Sequence, residues 1–149
     1  MLLHHSTYAS IDSQIFWGVV QDFSSYPSFM PMVKSVEILK DSENVWEVQF
    51  SILMIRSLQY SVKLERISAN ELQWNLIQGD FQQNTGKWSV QKEGQGIRIE
   101  YDIQMTLKTF MPATIRHSLE KVWLPNMVKS FIQETERRQS LPKIDRPDS

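Results

Sequence analysis

The residues of this chain that could do chemistry are few, and their spacing suits little of it. His4 and His5 are adjacent, and on an extended strand neighbouring side chains point to opposite faces. They are therefore badly placed to share a metal ion, and an edge or surface role is the simpler expectation. His117 and Glu120 stand one helical turn apart and are within hydrogen-bonding reach. One imidazole and one carboxylate make neither a metal site nor a catalytic dyad. Cysteine is absent, which removes disulfides, zinc-thiolate sites and thiol nucleophiles. No Gly-x-Ser-x-Gly elbow occurs. Gly94-Gln95-Gly96 falls between two strand patterns, so it is a turn and not a phosphate loop. The expectation is no catalytic residue, no metal and no cofactor.

Apolar and aromatic bulk is plentiful instead. Seven Met, five Trp, seven Phe and four Tyr occur in 149 residues, types that fill cores but also line adaptable apolar pockets. Three polar side chains fall on apolar strand faces. Tyr60 and Tyr101 each need a hydrogen-bond partner if buried, which a ligand carbonyl, the protein or water would supply. Arg66 continues the face of Leu58, Tyr60, Val62 and Leu64, and lies either at the end of a cavity or snorkelled to solvent.

The elements that position these residues follow from periodicity. Residues 2–9 suit an edge strand. Ser10 is the expected cap of a helix of about three turns carrying Ile15, Phe16, Val19 and Val20, with Asp12 in its first turn. That helix ends near Asp22, and Phe23 to Pro31, with prolines at 27 and 31, predicts a short second helix or structured loop. From Val33 the period becomes two. Trp46, Val48, Phe50, Ile52 and Met54 share a face, as do Leu72, Trp74 and Leu76, and later Trp88 and Val90. Ile97, Ile99, Tyr101, Ile103, Met105 and Leu107 alternate with polar residues. Short turns between such runs predict an antiparallel meander. Pro112 opens a long last helix whose apolar side is Ile115, Leu119, Val122, Trp123, Met127, Phe131 and Ile132. Pro125 predicts a kink or break near 121–125. The fold class is thus α+β, one domain over residues 1–140 with a loose tail at 141–149.

A twisted sheet of six to seven strands is wider than one helix, about 10–12 Å across with its side chains. Large side chains or a ligand must occupy the gap. The candidates are Tyr26, Phe29, Met30, Phe50, Met54, Tyr60, Arg66, Trp74, Phe81, Trp88, Tyr101, Met105, Met127 and Phe131, with Trp46 as a further filler. Any one of them is most simply explained by packing on its neighbours. Together they predict an open pocket, of the roughly 300–1,000 Å³ usual for ligand sites. Tyr26, Phe29 and Met30 in the Phe23–Pro31 segment are the expected lid.

The run from Trp17 to Val36, with Asp22, Tyr26-Pro27, Phe29 and Pro31 leading into a Val-rich strand, resembles the opening of the START-like polyketide-cyclase (SRPBCC) superfamily. The nearest branch is that of coenzyme-Q-binding proteins and bacterial ribosome-association toxins. Gly79-Asp80-Phe81 followed by Gly86-Lys87-Trp88 is similar to that family's Gly-Pro-Phe…Gly-x-Trp segment. The departures are Asp80, where the family commonly has Pro, and Pro125. The resemblance implies a helix-grip fold: a curved antiparallel sheet wrapped on a long C-terminal helix, with two short helices after the first strand. It also implies binding of a hydrophobic molecule such as an isoprenoid quinone or a lipid, as carrier or chaperone. A polyketide aromatase/cyclase using the same cavity is the alternative, so an enzyme is the less favoured outcome.

Charge sets the remaining bounds. The chain carries −1 overall, which gives no bulk attraction to nucleic acid or anionic membrane. From Lys108 onward the balance is +3 against −4 for the rest, leaving a ribosome contact through this basic segment, or a transient membrane contact, as minor expectations. Met1–Ser6 shows no secretory pattern, so the expected setting is the cytoplasm, at most peripheral to a membrane. The sequence leaves the oligomeric state open.

Overall fold

Period-two patterning and short turns produce the expected meander. The computed structural model describes residues 1–142; the expected tail lies, from residue 143 on, outside them. Strand β1 (Leu2–Ala9) leads to helix α1 (Ser13–Gln21), a 3-10 turn (Phe23–Ser25) and the short helix α2 (Tyr26–Phe29). Six strands follow: β2 (Val33–Ser42), β3 (Val45–Leu53), β4 (Ser57–Ser68), β5 (Glu71–Gly79), β6 (Phe81–Glu93) and β7 (Gly96–Leu107). All pair antiparallel in one curved sheet of order β1-β7-β6-β5-β4-β3-β2. Register shifts interrupt β2–β3, β4–β5 and β6–β7, and such bulges bend a sheet and raise its twist. This is the helix-grip fold.

The grip is closed by a 27-residue C-terminal helix in three parts: α3 (Ala113–Ser118), a π turn (Leu119–Trp123) and α4 (Leu124–Gln139). Pro125 does not break this helix, and the irregularity expected near 121–125 takes the form of the π turn. The proline's missing N–H falls just after the widened turn, where the regular bonding is already interrupted. The extra residue rotates everything downstream. Val122, expected on the apolar side, is 55% exposed, while Leu124 and Val128 are buried instead.

Two local expectations change. Asp12, not Ser10, caps α1, its carboxylate accepting from the Ile15 N–H at 2.9 Å. Ile11 is drawn into the core, so the chain enters the helix two residues later. At the β5–β6 turn, Asp80 does what proline could not. Its N–H donates to the Gln59 carbonyl at 2.9 Å, and its carboxylate accepts from the Gln59 N–H at 2.8 Å. Gly79 beside it has φ +128°, and a Cβ there would lie 2.4 Å from the Tyr60 Cα, so only glycine fits.

The end of α4 is fixed to the hinge after α1 by a buried charge cluster. Arg138, 1% exposed, donates through Nε to Glu134 at 3.0 Å and through Nη2 to Asp22 at 2.8 Å. Asp22 also accepts from the Ser25 hydroxyl, and Glu134 from Arg137. Hydrogen bonding from Arg137, and then from Arg138, holds the Glu134 carboxyl below its ordinary 4.5 against an opposing effect of burial. A lowered carboxyl pKa contributes stability that is complete above 4.5 and is lost as pH falls through the folded value.

Arg138→Ala is expected to cost about 3 kcal/mol in urea unfolding, since it removes the cation paired with Asp22 and one of the two paired with Glu134. Arg137→Ala, on an exposed side chain, should cost under about 1 kcal/mol. Equal losses would contradict the cluster's role.

Candidate functional site

The inward faces of the strands and the apolar side of α4 meet in an open circuit of eight rings. Phe81 lies edge-on to Tyr60, with centroids 4.9 Å apart, and Tyr60 is tilted on Phe50 at 5.6 Å. Phe50 stacks on Tyr26 at 5.9 Å, and Tyr26 is edge-on to Phe131 at 5.2 Å. Phe131 meets Trp88 at 4.9 Å, Trp88 meets Tyr101 at 4.7 Å, and Tyr101 meets Trp74 at 5.4 Å. Such offset and edge-on contacts add about 0.5–1.5 kcal/mol each beyond buried area. The eight rings surround a cavity of about 100 Å³, completed by Met30, Met32, Met54, Met105, Met127, Trp123 and the aliphatic strand residues Val33, Ile52, Val62, Leu64 and Ile103.

This cavity is smaller than the several hundred Å³ expected. The strand-borne rings reach inward and occupy much of the space the slim helix leaves. A second recess of about 420 Å³ adjoins it, lined by Pro31, Ile115, Ser118, Leu119, Val122, Asn126 and Ser130. Met30, Met32, Met54, Trp123 and Met127 face both spaces and form the partition between them. Methionine side chains are unbranched and change rotamer readily, so four of them make a yielding wall.

Three polar groups face the inner cavity. Asn84 accepts a 3.0 Å hydrogen bond from the Trp74 indole N–H. Asn84 was not anticipated: a polar residue four before Trp88 shares its face, and that alternation was the available signal. Tyr60 and Tyr101 also line the cavity; the fully buried side-chain atoms left without a partner among the described residues are Ser61 Oγ and Arg138 Nη1, not the two tyrosine hydroxyls. Burial pushes both well above the ordinary tyrosine value of 10.0, for Tyr101 with help from Tyr60. Tyr26, also raised by burial, donates its hydroxyl to the Val20 carbonyl. These hydroxyls are donors to an oxygen and are poor bases.

Of the fourteen expected lining residues, twelve surround the cavity: Tyr26, Met30, Phe50, Met54, Tyr60, Trp74, Phe81, Trp88, Tyr101, Met105, Met127 and Phe131. Phe29 stands behind the circuit, edge-on to Phe131 at 5.3 Å and to Tyr26 at 5.7 Å. Arg66 is elsewhere. Its guanidinium lies 3.9 Å from the Trp17 ring centroid, bonds Gln21, and donates at 2.8 Å to the Ser68 and Ala69 carbonyls. The bulge between Arg66 and Ser68 and the ring of Trp17 carry it to the outside of α1. Trp46 packs on Phe23 and does not reach the cavity. In the expected lid, Phe23 and Tyr26 belong to the core, so only Met30–Met32 border the mouth.

The histidines stay apart from the site. His4 pairs with Asp102 across β1–β7 at 2.6 Å, and His117 is exposed. Among the described residues no group of three or more His, Asp or Glu gathers to hold a metal, and no helix is long and apolar enough to cross a membrane.

Fold and cavity together define a helix-grip protein with an apolar, hydroxyl-bearing interior. The chain belongs to the family described as polyketide cyclase / dehydrase and lipid transport, whose model matches residues 13–132. No curated protein matches it in sequence. Among solved structures it is similar to a START superfamily protein from Mycobacterium smegmatis, at 17% identity over 91% of this chain and 97% of that one, with a TM-score of 0.80. It is also similar to the Zhui aromatase/cyclase from Streptomyces sp. R1128, at 16% identity over 93% and 95%, TM-score 0.74. A STAR-related lipid transfer protein from Xanthomonas axonopodis aligns at 9% identity over 89% and 84%, TM-score 0.75. At these identities the likeness is one of fold.

In an ultraviolet titration, Tyr26, Tyr60 and Tyr101 should stay protonated above pH 10 until the fold gives way. Because their folded values are raised, the stability they contribute is complete below 10 and declines as pH rises beyond it. Four tyrosines ionising together near 10 in the folded protein would contradict the burial of these hydroxyls.

Gly86 offers a second check. A Cβ there would lie 2.3 Å from the Trp74 ring and 2.4 Å from the Asp102 carbonyl. Gly86→Ala should therefore destabilise by about 1–3 kcal/mol and shift Trp74 fluorescence. A neutral substitution would mean that Trp74 is free to retreat.

Proposed function

We propose that this protein binds and carries an apolar molecule with a polar oxygen at one end, of the isoprenoid-quinone or lipid type. The observation that carries this reading is an apolar cavity among the rings that Tyr60, Tyr101 and Asn84 line, behind a methionine partition. A hydroxyl that borders an apolar cavity can donate to a ligand oxygen placed there, and such a bond contributes about 0.5–1.5 kcal/mol. A ring or headgroup would sit among Tyr60, Tyr101 and Asn84, and an apolar chain would pass between Met30, Met32, Met54 and Met127 into the outer recess. An inner volume of about 100 Å³ means that these methionines must move as the ligand enters.

Carriage fits the described residues better than catalysis. The nearest ionisable groups are tyrosines that burial keeps protonated, and Arg66, the one cation among the expected lining residues, is committed to Trp17, Gln21 and the β4–β5 turn.

Native mass spectrometry of the purified protein is expected to show one bound apolar molecule, or uptake of one added short-chain quinone. Tyr60→Phe and Tyr101→Phe should each weaken binding by up to about tenfold, the worth of one buried hydrogen bond. A ligand-free protein without affinity for quinones or lipids would overturn the proposal. Unchanged affinity in both variants would remove the hydroxyls from it.

A further inference from the structure

The loops around the cavity mouth are tied into one rim. The Leu53 N–H donates to the Met32 carbonyl at 2.8 Å, Asp80 N–H to Gln59 at 2.9 Å, and Lys108 N–H reaches the Asp80 carbonyl at 3.5 Å. The β3–β4 hairpin, the β5–β6 turn, the loop after β7 and the Met30–Met32 segment therefore share one end of the sheet, with α3 and the π turn beside them.

This rim displays apolar side chains that fill no part of the core. Phe110 is 87% exposed, the most exposed large apolar residue among those described, and Leu53, Ile55 and Val122 are also exposed. Cations stand between them: Arg56 on the hairpin, Lys108 and Arg116 flanking Phe110, and Lys121 next to Val122, all exposed. Only two carboxylates share the rim, Asp80, which is engaged by the Gln59 N–H, and exposed Glu120. The rim is thus +2 in a chain of −1. Val122 also lines the outer recess, so this surface borders the route into the cavity.

We infer that this rim docks on the surface of an anionic lipid membrane, placing the cavity mouth against the acyl chains from which an apolar ligand would be drawn. The purpose rests on the carrier reading; the docking rests on the rim alone. Greasy side chains on separate protruding segments, interleaved with long cationic ones, suit the boundary between headgroups and acyl chains. That boundary accepts scattered insertions and attracts positive charge without needing a continuous complementary face.

The test is flotation of the full chain with phosphatidylcholine vesicles, with and without phosphatidylglycerol. Binding is expected with phosphatidylglycerol, weakening as salt rises. Lys108→Gln, Arg116→Gln and Lys121→Gln should each lower partitioning by about fivefold, and Phe110→Ser should lower it further. Ile67→Ser, at an apolar residue that is 51% exposed and away from the rim, should leave it unchanged. No flotation with either vesicle, or flotation indifferent to the charge and Phe110 variants, would overturn the inference. Quinone binding measured without vesicles should be unaffected by the rim variants. Loss of quinone binding in the unaltered protein with flotation intact would instead strike the carrier reading.

Discussion

A helix about 10–12 Å across cannot cover seven strands set about 4.8 Å apart, and the circuit of inward-facing rings spans the difference. Phe131 is the point where helix and sheet meet in this circuit. It touches Tyr26 from the segment after α1, Trp88 from β6, and Phe29 behind. Rings that prefer edge-on contact keep their centroids about 4.5–7 Å apart, so they brace one another without closing every space between them. The cavity is what that geometry leaves over.

The helix itself is adjusted to serve this contact. A π turn just before Pro125 absorbs the missing backbone bond and turns Leu124, Met127, Val128 and Phe131 onto the sheet. At its far end Arg138 ties α4 to Asp22, the hinge from which Tyr26 and Phe29 are presented. The mouth lies at the other end, where α3 and the π turn face methionines. The rigid, charge-clamped end and the yielding end are thus about one helix length apart.

Much of this was legible in the sequence, for reasons that can be named. Alternation along β3, β4 and β7 assigns Phe50, Tyr60, Tyr101 and Met105 to the inner face, because a pleated strand with one wet side permits no other register. Alternation gives a face and not a depth, however. It placed Arg66 with its strand-mates, but the bulge at Ser68 and the ring of Trp17 redirect it. A constant 3.6 period put Val122 inward and missed Leu124, because the extra residue of a π turn leaves no mark except the proline after it. Asn84 hid because a lone polar residue in an inward row looks like a surface residue until its partner, Trp74, is seen. The cavity's size could not be read from composition, since it depends on how far eight rings reach.

The central claim is that an apolar guest enters between sheet and helix by displacing the methionine partition. Methyl-labelled methionine NMR tests it directly, because the chain's seven methionines are distributed to report on it. On titration with a short-chain quinone, Met30, Met32, Met54 and Met127 should shift, and so should Met105, which borders both the inner cavity and the recess beside Phe110, while Met111, on that recess alone, stays still. Shifts confined to Met111, or none at saturating quinone, would contradict the account.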